Sequence, residues 1–262
     1  MQEIEKEELF VNKYNGRFIH ELPLCMQQRL IKAIKKNDGI VEVKKRNSYA
    51  KGRVIMTIGI SSFNIQIKEN PSNSIHNEFE SSFFGLLSQL KTPIDIKMII
   101  KMHLLFKKQN YEFEIFKREY KNQINKSNEF FNKYQKLFLY RFLFQGKKES
   151  NPMTDFIYLE DGEEYFISKE EIQHHILYDN KINYEEVRLS PFTFNRIEKE
   201  DKIKFYLPEL KTIVKKISYE NNQWPVEPTP PFLSSFEQSS SVTKYFVNMP
   251  WAILSPLSIV TS

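Results

Sequence analysis

The sequence predicts an α+β fold that opens with a helix and a β-meander, together forming an N-terminal half-barrel. Between residues 18 and 67, apolar side chains first recur with helical spacing and then alternate with polar ones over three short runs. Two further β-rich runs at 156–167 flank Asp161-Gly162, a dipeptide typical of a hairpin turn. Hydrophobic residues make up 40% of the 262 residues and aromatic residues 14%, which excludes a chain that is disordered throughout.

The N-terminal helix is predicted to begin near Pro23 and to stop at Asp38-Gly39, because proline suits the first turn of a helix and glycine its end. Three half-buried strands follow, the first of them around Val41 and Val43. Three strands are too few to close a barrel, so their edges are expected to pair with another chain. The predicted partner-binding residues lie on the second and third strands: Val54, Met56, Ile58, Phe63, Ile65 and Ile67.

The turn between the first two strands carries five cations and no acid over residues 44–53. Such a turn suits phosphate or an acidic partner, and the alternative interpretation is a solvated hairpin tip. The whole chain has 38 Lys and Arg against 33 Asp and Glu, so its net charge of +5 is weaker than a DNA-coating protein needs. Nucleic-acid binding is therefore predicted locally, at Lys44, Lys45, Arg46, Lys51 and Arg53.

Helices are predicted next, over residues 79–90 and 92–106, although the apolar alternation at 94–100 also allows a strand. Residues 111–116 alternate and are predicted to form a strand or an extended arm. From Ser127 onward the aromatic spacing favours a helix, with a buried strand at 137–144 as the alternative.

A capping box, Ser168 to Glu171, predicts a helix directly after the hairpin. Short strands at 187–189 and 203–207 and a helix from Pro208 complete a second small α+β unit. The predicted domains are a half-barrel with helices (1–110), an aromatic-rich connecting region (111–149), the small α+β unit (150–219) and a flexible Pro/Ser-rich tail (220–262).

The sequence shows no catalytic or metal-ligand pattern and predicts no cofactor. The adjacent His174 and His175 lack a ligand at the i, i+4 spacing, and no Walker loop or Gly-x-Gly-x-x-Gly run is present. One alternative is a metal-dependent nuclease, because Asp95-Ile96-Lys97 resembles the acid-x-Lys half of the restriction-type motif. No aspartate lies between Gly39 and Ile94 to supply the upstream acid on a strand.

The location of the protein is predicted from what the sequence lacks. Cys25 is the only cysteine, which suggests a reducing compartment. The acidic N-terminus has no apolar signal region, and no apolar run approaches the roughly 20 residues that a membrane helix needs. We therefore expect a soluble protein of the nucleus, or otherwise of the cytoplasm, with no membrane contact.

The chain carries five short motifs: Phe18-Ile19-His20-Glu21-Leu22-Pro23, Arg29, Gly52-Arg53-Val54, Asn70-Pro71 and Trp224-Pro225. The first four resemble the start of the TFIID subunit family known as the seventh TATA-binding-protein-associated factor. Trp224-Pro225 is similar to an element near the end of the folded region of that family. The barrel of the small TFIIF subunit opens in a similar way.

The resemblance implies that the N-terminal unit is half of a composite barrel, which the largest TFIID subunit completes by strand pairing. The predicted function is then that of a non-enzymatic subunit of a transcription pre-initiation complex in the nucleus. Its partners would be that larger subunit and promoter DNA, the latter contacted by the basic turn, and no small-molecule substrate is expected.

Overall fold

A computed structural model describes residues 3–46, 51–68, 74–148, 150–178, 184–197 and 200–222. These residues form two β-sheets and a set of helices, which confirms the predicted α+β class. None of the described helices is both long and apolar enough to cross a membrane. Apart from residues 220–222, which belong to the last helix, the predicted tail lies outside the described residues.

The α-helices are α1 (Glu3–Tyr14), α2 (Leu24–Ile34), α3 (Glu80–Gln89), α4 (Ile94–Phe106), α5 (Asn110–Glu119), α6 (Lys121–Asn132), α7 (Gln135–Phe138), α8 (Lys169–Tyr178) and α9 (Leu210–Asn222). A 3-10 turn (Ile19–Glu21) precedes α2, and a π-helical segment (Leu139–Phe144) follows α7. The strands are β1 (Val41–Lys45), β2 (Val54–Ile58), β3 (Ser61–Lys68), β4 (His76–Phe79), β5 (Phe156–Glu160), β6 (Glu164–Ser168), β7 (Thr193–Ile197) and β8 (Lys202–Tyr206).

The larger sheet has the strand order β1-β2-β3-β5-β6. Its first three strands form the predicted antiparallel meander, with Val43 opposite Met56 and Met56 opposite Phe63. β5 then joins β3 in parallel, with Ile65 opposite Phe156, and β6 completes the predicted hairpin. Strands from the predicted 1–110 and 150–219 regions thus share one sheet.

This sheet is covered on both faces, which explains the nearly continuous apolar run of β5. On one face, α1 and α2 enclose a core that includes Phe10, Met26, Phe156, Tyr158 and Phe166. On the other face, alternate β5 and β6 residues enter a second core together with the helices of the middle region. A strand buried on both sides carries apolar residues at successive positions.

The smaller sheet, in the order β4-β8-β7, contributes to that second core. Phe142 of the π-helical segment stacks on Phe205 of β8, with ring centroids 4.1 Å apart. Fully buried Phe83, Phe131, Phe138 and Phe194 add to the same aromatic cluster. The abundant phenylalanines of the middle region are therefore core residues.

Several predicted elements differ from the structure. Residues 111–116 belong to helix α5, because the chain buries Phe113 and Phe116 at helical spacing and leaves Tyr111 exposed. The strand predicted at 187–189 is reduced to an isolated bridge between Leu189 and Phe192. The strand alternatives at 94–100 and 137–144 are wrong as well, since both segments are helical.

Candidate functional site

A concave, positively charged surface lies where the ends of β2 and β3 meet the start of β4 and the segment 145–151. We call this surface the basic groove. It has a volume of about 580 Å³, and its cations are Lys51, Arg53, Lys68, Lys147 and Lys148. No described residue of its lining is Asp or Glu, and the polar side chains between the cations include Gln66, His76, Asn77 and Asn151.

Arg53 and Lys51 are held by contacts with other segments of the chain. Nε of Arg53 lies 2.8 Å from a carboxylate oxygen of Glu7, a buried residue of α1. Nζ of Lys51 donates to the backbone oxygen of Ile75, which ties the segment before β2 to the residue before β4. These contacts fix where the two side chains enter the groove.

Gln66 and Lys68 reach the groove because β3 alternates its faces. Ile65 and Ile67 point into the core under α1 and α2, so the residues between and after them point to the opposite side. Gln66 is only 4% exposed, and its Oε1 has no hydrogen-bond partner among the described residues. The site thus contains a buried acceptor whose hydrogen bond is unmade.

His76 and Glu78 stand on neighbouring inward positions of β4. Burial lowers the pKa of His76 to about 4, and its ring stacks on that of Phe142 at 5.1 Å. Burial would raise the pKa of Glu78, but hydrogen bonds with His76, Arg141 and Ser82 outweigh it and bring that pKa to about 2. At neutral pH the groove therefore contains a neutral imidazole backed by an ionised carboxylate.

Lys147 and Lys148 are exposed on the segment that follows the π-helical residues. Two reciprocal amide contacts close this segment: Gln145 Nε2 donates to Asn151 O at 3.0 Å, and Asn151 Nδ2 donates to Gln145 O at 3.3 Å. Gly146 takes a φ of 91° at the turn and comes close to the Lys51 side chain. The turn thus presents two cations beside Lys51 and Arg53, which precede β2.

Only part of the predicted nucleic-acid-binding set lines this groove. Lys51 and Arg53 do, whereas Lys44 pairs with Glu42 and Lys45 pairs with Glu7 and Glu8 of α1. Arg46 is not part of the lining, and its backbone N donates to Arg53 O at 2.6 Å. Residues 47–50 of the same turn lie outside the described residues.

The predicted partner-binding residues serve the core of this chain. Val54, Met56 and Ile65 are 0% exposed, Ile58 and Ile67 are nearly so, and Phe63 packs edge-on against Phe156. β2 and β3 each have a strand on both sides. At the outer edge of β1, Gly16 N donates to Val41 O and Val41 N donates to Arg17 O, each at 2.8 Å. Pairing with a larger subunit stays a prediction.

The Asp95-Ile96-Lys97 motif does not have the setting that its chemistry needs. It lies in the first turn of α4 rather than on a strand, and side chains two residues apart on a helix do not face each other. Asp95 is exposed, and Nζ of Lys97 contacts Ser88 Oγ at 3.1 Å. Within the described residues, no group of three or more His, Cys, Asp or Glu side chains could hold a metal ion.

Sequence reasoning missed Gln66, Lys68, His76, Lys147 and Lys148. At β3, the polar face of the strand could have indicated the site. Gln66-Ile67-Lys68 has the acid-x-Lys spacing with an amide in place of the acid. The Lys147-Lys148 pair after a glycine was a second local signal. Nothing local to either segment indicates that the two meet.

No protein-family model matches the chain, and no curated protein matches it. Among solved structures, the chain is similar to the restriction endonuclease MspI in complex with its cognate DNA, with a TM-score of 0.47 and 12% sequence identity. The similarity covers 76% of this chain and 87% of that one.

Proposed function

We propose that this protein binds nucleic acid by holding backbone phosphates in the basic groove. The observation that carries the proposal is the convergence of five Lys and Arg side chains, from three separate segments, with no acidic residue among the described lining. Lysine and arginine contacts to phosphate supply most of the sequence-independent affinity for DNA and RNA.

The neutral groups of the groove fit the same ligand. His76 stays uncharged at neutral pH, and Gln66, Asn77 and Asn151 offer amide groups between the cations. A nucleic acid combines anionic phosphates with neutral sugars and bases, so a site with both kinds of group suits it.

The transcription-subunit hypothesis and the nuclease hypothesis both have nucleic acid as a ligand. We propose the same ligand, bound at the basic groove. The cations that carry it are Lys51, Arg53, Lys68, Lys147 and Lys148, instead of the turn residues Lys44 to Arg46. Membership of a transcription complex, a nuclear location and metal-dependent cleavage stay predictions.

The test reverses the charge of the two exposed lysines of the 145–151 turn. Lys147→Glu with Lys148→Glu is measured against Lys215→Glu with Lys216→Glu, an exposed pair on α9 that lies outside the groove. Affinity for labelled single-stranded and duplex DNA is read by fluorescence anisotropy between about 50 and 200 mM salt.

We expect the groove variant to lose at least about tenfold in affinity. The slope of log K against log salt concentration should become shallower by about two, because two phosphate contacts are lost. The α9 variant carries the same change in net charge and is expected to stay within about twofold of the wild type. Equal losses in both variants would show that net charge alone governs binding, and an unbound wild type would refute the proposal.

A further inference from the structure

We propose that Gln66 accepts a hydrogen bond from the exocyclic amino group of an unpaired nucleobase, so that the groove reads a base as well as phosphates. This inference rests on the proposed nucleic-acid function and specifies the part of the ligand that reaches the floor of the groove. It assigns to Gln66 a specificity-determining role.

The side-chain oxygen of Gln66 has an unmade hydrogen bond within the described part of the chain. Its side chain lines the groove, is 4% exposed, and carries an Oε1 that no described donor reaches. The residue sits in the middle of the larger sheet, opposite Ile157 of β5, so the strand ladder fixes its position. A buried acceptor left without a donor is costly, and a ligand that brings a donor gains that free energy on binding.

The chemistry of the acceptor restricts what the ligand can be. Phosphate oxygens accept hydrogen bonds and cannot donate to Oε1, and the sugars inside a DNA strand carry no hydroxyl donor. Adenine, cytosine and guanine carry an exocyclic amino group, whereas thymine does not. The ring N3–H of an unpaired thymine can also donate, but it lies between two carbonyl oxygens, whereas an exocyclic amino group projects beyond the ring edge. The donor best shaped for the recessed Oε1 of Gln66 is therefore a base amino group, with the neighbouring cations holding the flanking phosphates.

The depth of Gln66 favours an unpaired base over a base in a duplex. A stacked, paired base lies between two backbones, while a base outside the stack can enter a concave site and present its Watson–Crick edge. Gln66 lines the groove with 4% of its surface exposed while its Oε1 is itself buried, so a donor reaches Oε1 from inside the groove when the terminal amide turns toward it. A single strand or an extruded nucleotide meets this requirement.

The test compares three single-stranded DNA probes of equal length: oligo(dC), oligo(dT) and an abasic strand. All three have the same phosphates, and only oligo(dC) carries exocyclic amino groups. We expect the wild-type protein to bind oligo(dC) about fivefold or more tightly than either of the others, by fluorescence anisotropy. The comparison needs no variant, so it does not depend on whether a substitution folds.

Gln66→Met then removes the acceptor at similar volume, with Gln123→Met, at an exposed position of α6, as the matched control. Gln66→Met should bind oligo(dC) as weakly as oligo(dT) while its affinity for the abasic strand is unchanged, and Gln123→Met should keep the wild-type preference. Equal wild-type affinities for oligo(dC) and oligo(dT), or a preference that survives Gln66→Met, would overturn the contact between Gln66 and a base amino group and leave phosphate binding intact. Absence of binding to all three probes would overturn both proposals.

Discussion

Nε of Arg141 lies 3.1 Å from Oε2 of Glu78, and this ion pair joins the π-helical segment to β4 across 63 positions of sequence. The Glu78 side chain is 2% exposed, and Ser82 Oγ donates to its other oxygen at 2.6 Å. The low pKa of Glu78, about 2, means that the buried carboxylate is charged throughout the neutral range. The pair therefore fixes the start of β4, where His76 enters the basic groove.

The first prediction concerns the loss of the Arg141 charge. Arg141→Met leaves a buried carboxylate without its cation, so we expect a loss of about 3 kcal/mol in the free energy of unfolding at pH 7. Replacing both partners, as in Glu78→Leu with Arg141→Met, should cost less than Arg141→Met alone, because no charge is then buried unpaired. Urea unfolding of the three variants measures the difference.

Arg118→Met, at an exposed arginine of α5, is the control for the loss of one positive charge. It should change the free energy of unfolding by less than about 0.5 kcal/mol. If Arg141→Met costs no more than this control, the Glu78–Arg141 pair does not hold the fold together.

The second prediction is a loss of stability in acid that depends on His103. This residue is 0% exposed, its Nε2 lies 3.3 Å from Phe194 O, and burial lowers its pKa to about 3. The unfolded chain binds this proton below about pH 6.5 and the folded chain does not, so stability is present above that pH and declines as the pH falls toward 3.

His103→Gln removes the titration and keeps a side-chain donor for Phe194 O. We expect it to reduce the pH dependence of the unfolding free energy between pH 6 and 4 by roughly 1.4 kcal/mol per pH unit. Urea unfolding at several pH values measures this slope, and His20→Gln at an exposed histidine is the control. Identical slopes for wild type and His103→Gln would contradict the prediction. Burial also lowers the pKa of His76, so His76 adds a second loss of unfolding free energy as the pH falls over the same range.

The parts of the fold that could be predicted from the sequence are those fixed by neighbouring residues. The meander of β1 to β3 and the hairpin of β5 and β6 follow from local alternation and from Asp161-Gly162, and the structure confirms both. Helix α5 was mistaken for a strand because Tyr111, Phe113 and Ile115 alternate, although only Phe113 of the three is buried. Burial depends on tertiary contacts, which periodicity alone does not contain.

The candidate site was less predictable because distant segments build it. Lys51 and Arg53 belong to the basic turn that the sequence singled out, but Lys147 reaches the same groove from almost a hundred residues later. The parallel pairing of β3 with β5 brings these parts of the chain into one sheet, and no local pattern encodes that register. For the same reason the sequence did not indicate that β5 occupies the edge of β3, and pairing with another chain stays a prediction.

The last prediction concerns Gly52, which lies between Lys51 and Arg53, the two groove cations that precede β2. A Cβ at this position would stand 2.9 Å from Asn64 Cβ and 3.3 Å from Thr154 Oγ1, so Gly52→Ala must displace β3 or the segment before β5. We expect a loss of about 1–3 kcal/mol in stability and weaker DNA binding, because Lys51 and Arg53 move with the strand.

Gly85→Ala is the matched control: it lies within α3, a Cβ there meets nothing within 4 Å, and alanine should add about 0.5–1 kcal/mol. Thermal unfolding and anisotropy measure both variants, and a Gly52→Ala protein as stable as the Gly85→Ala protein would show that β2 and β3 are not closely packed at this point.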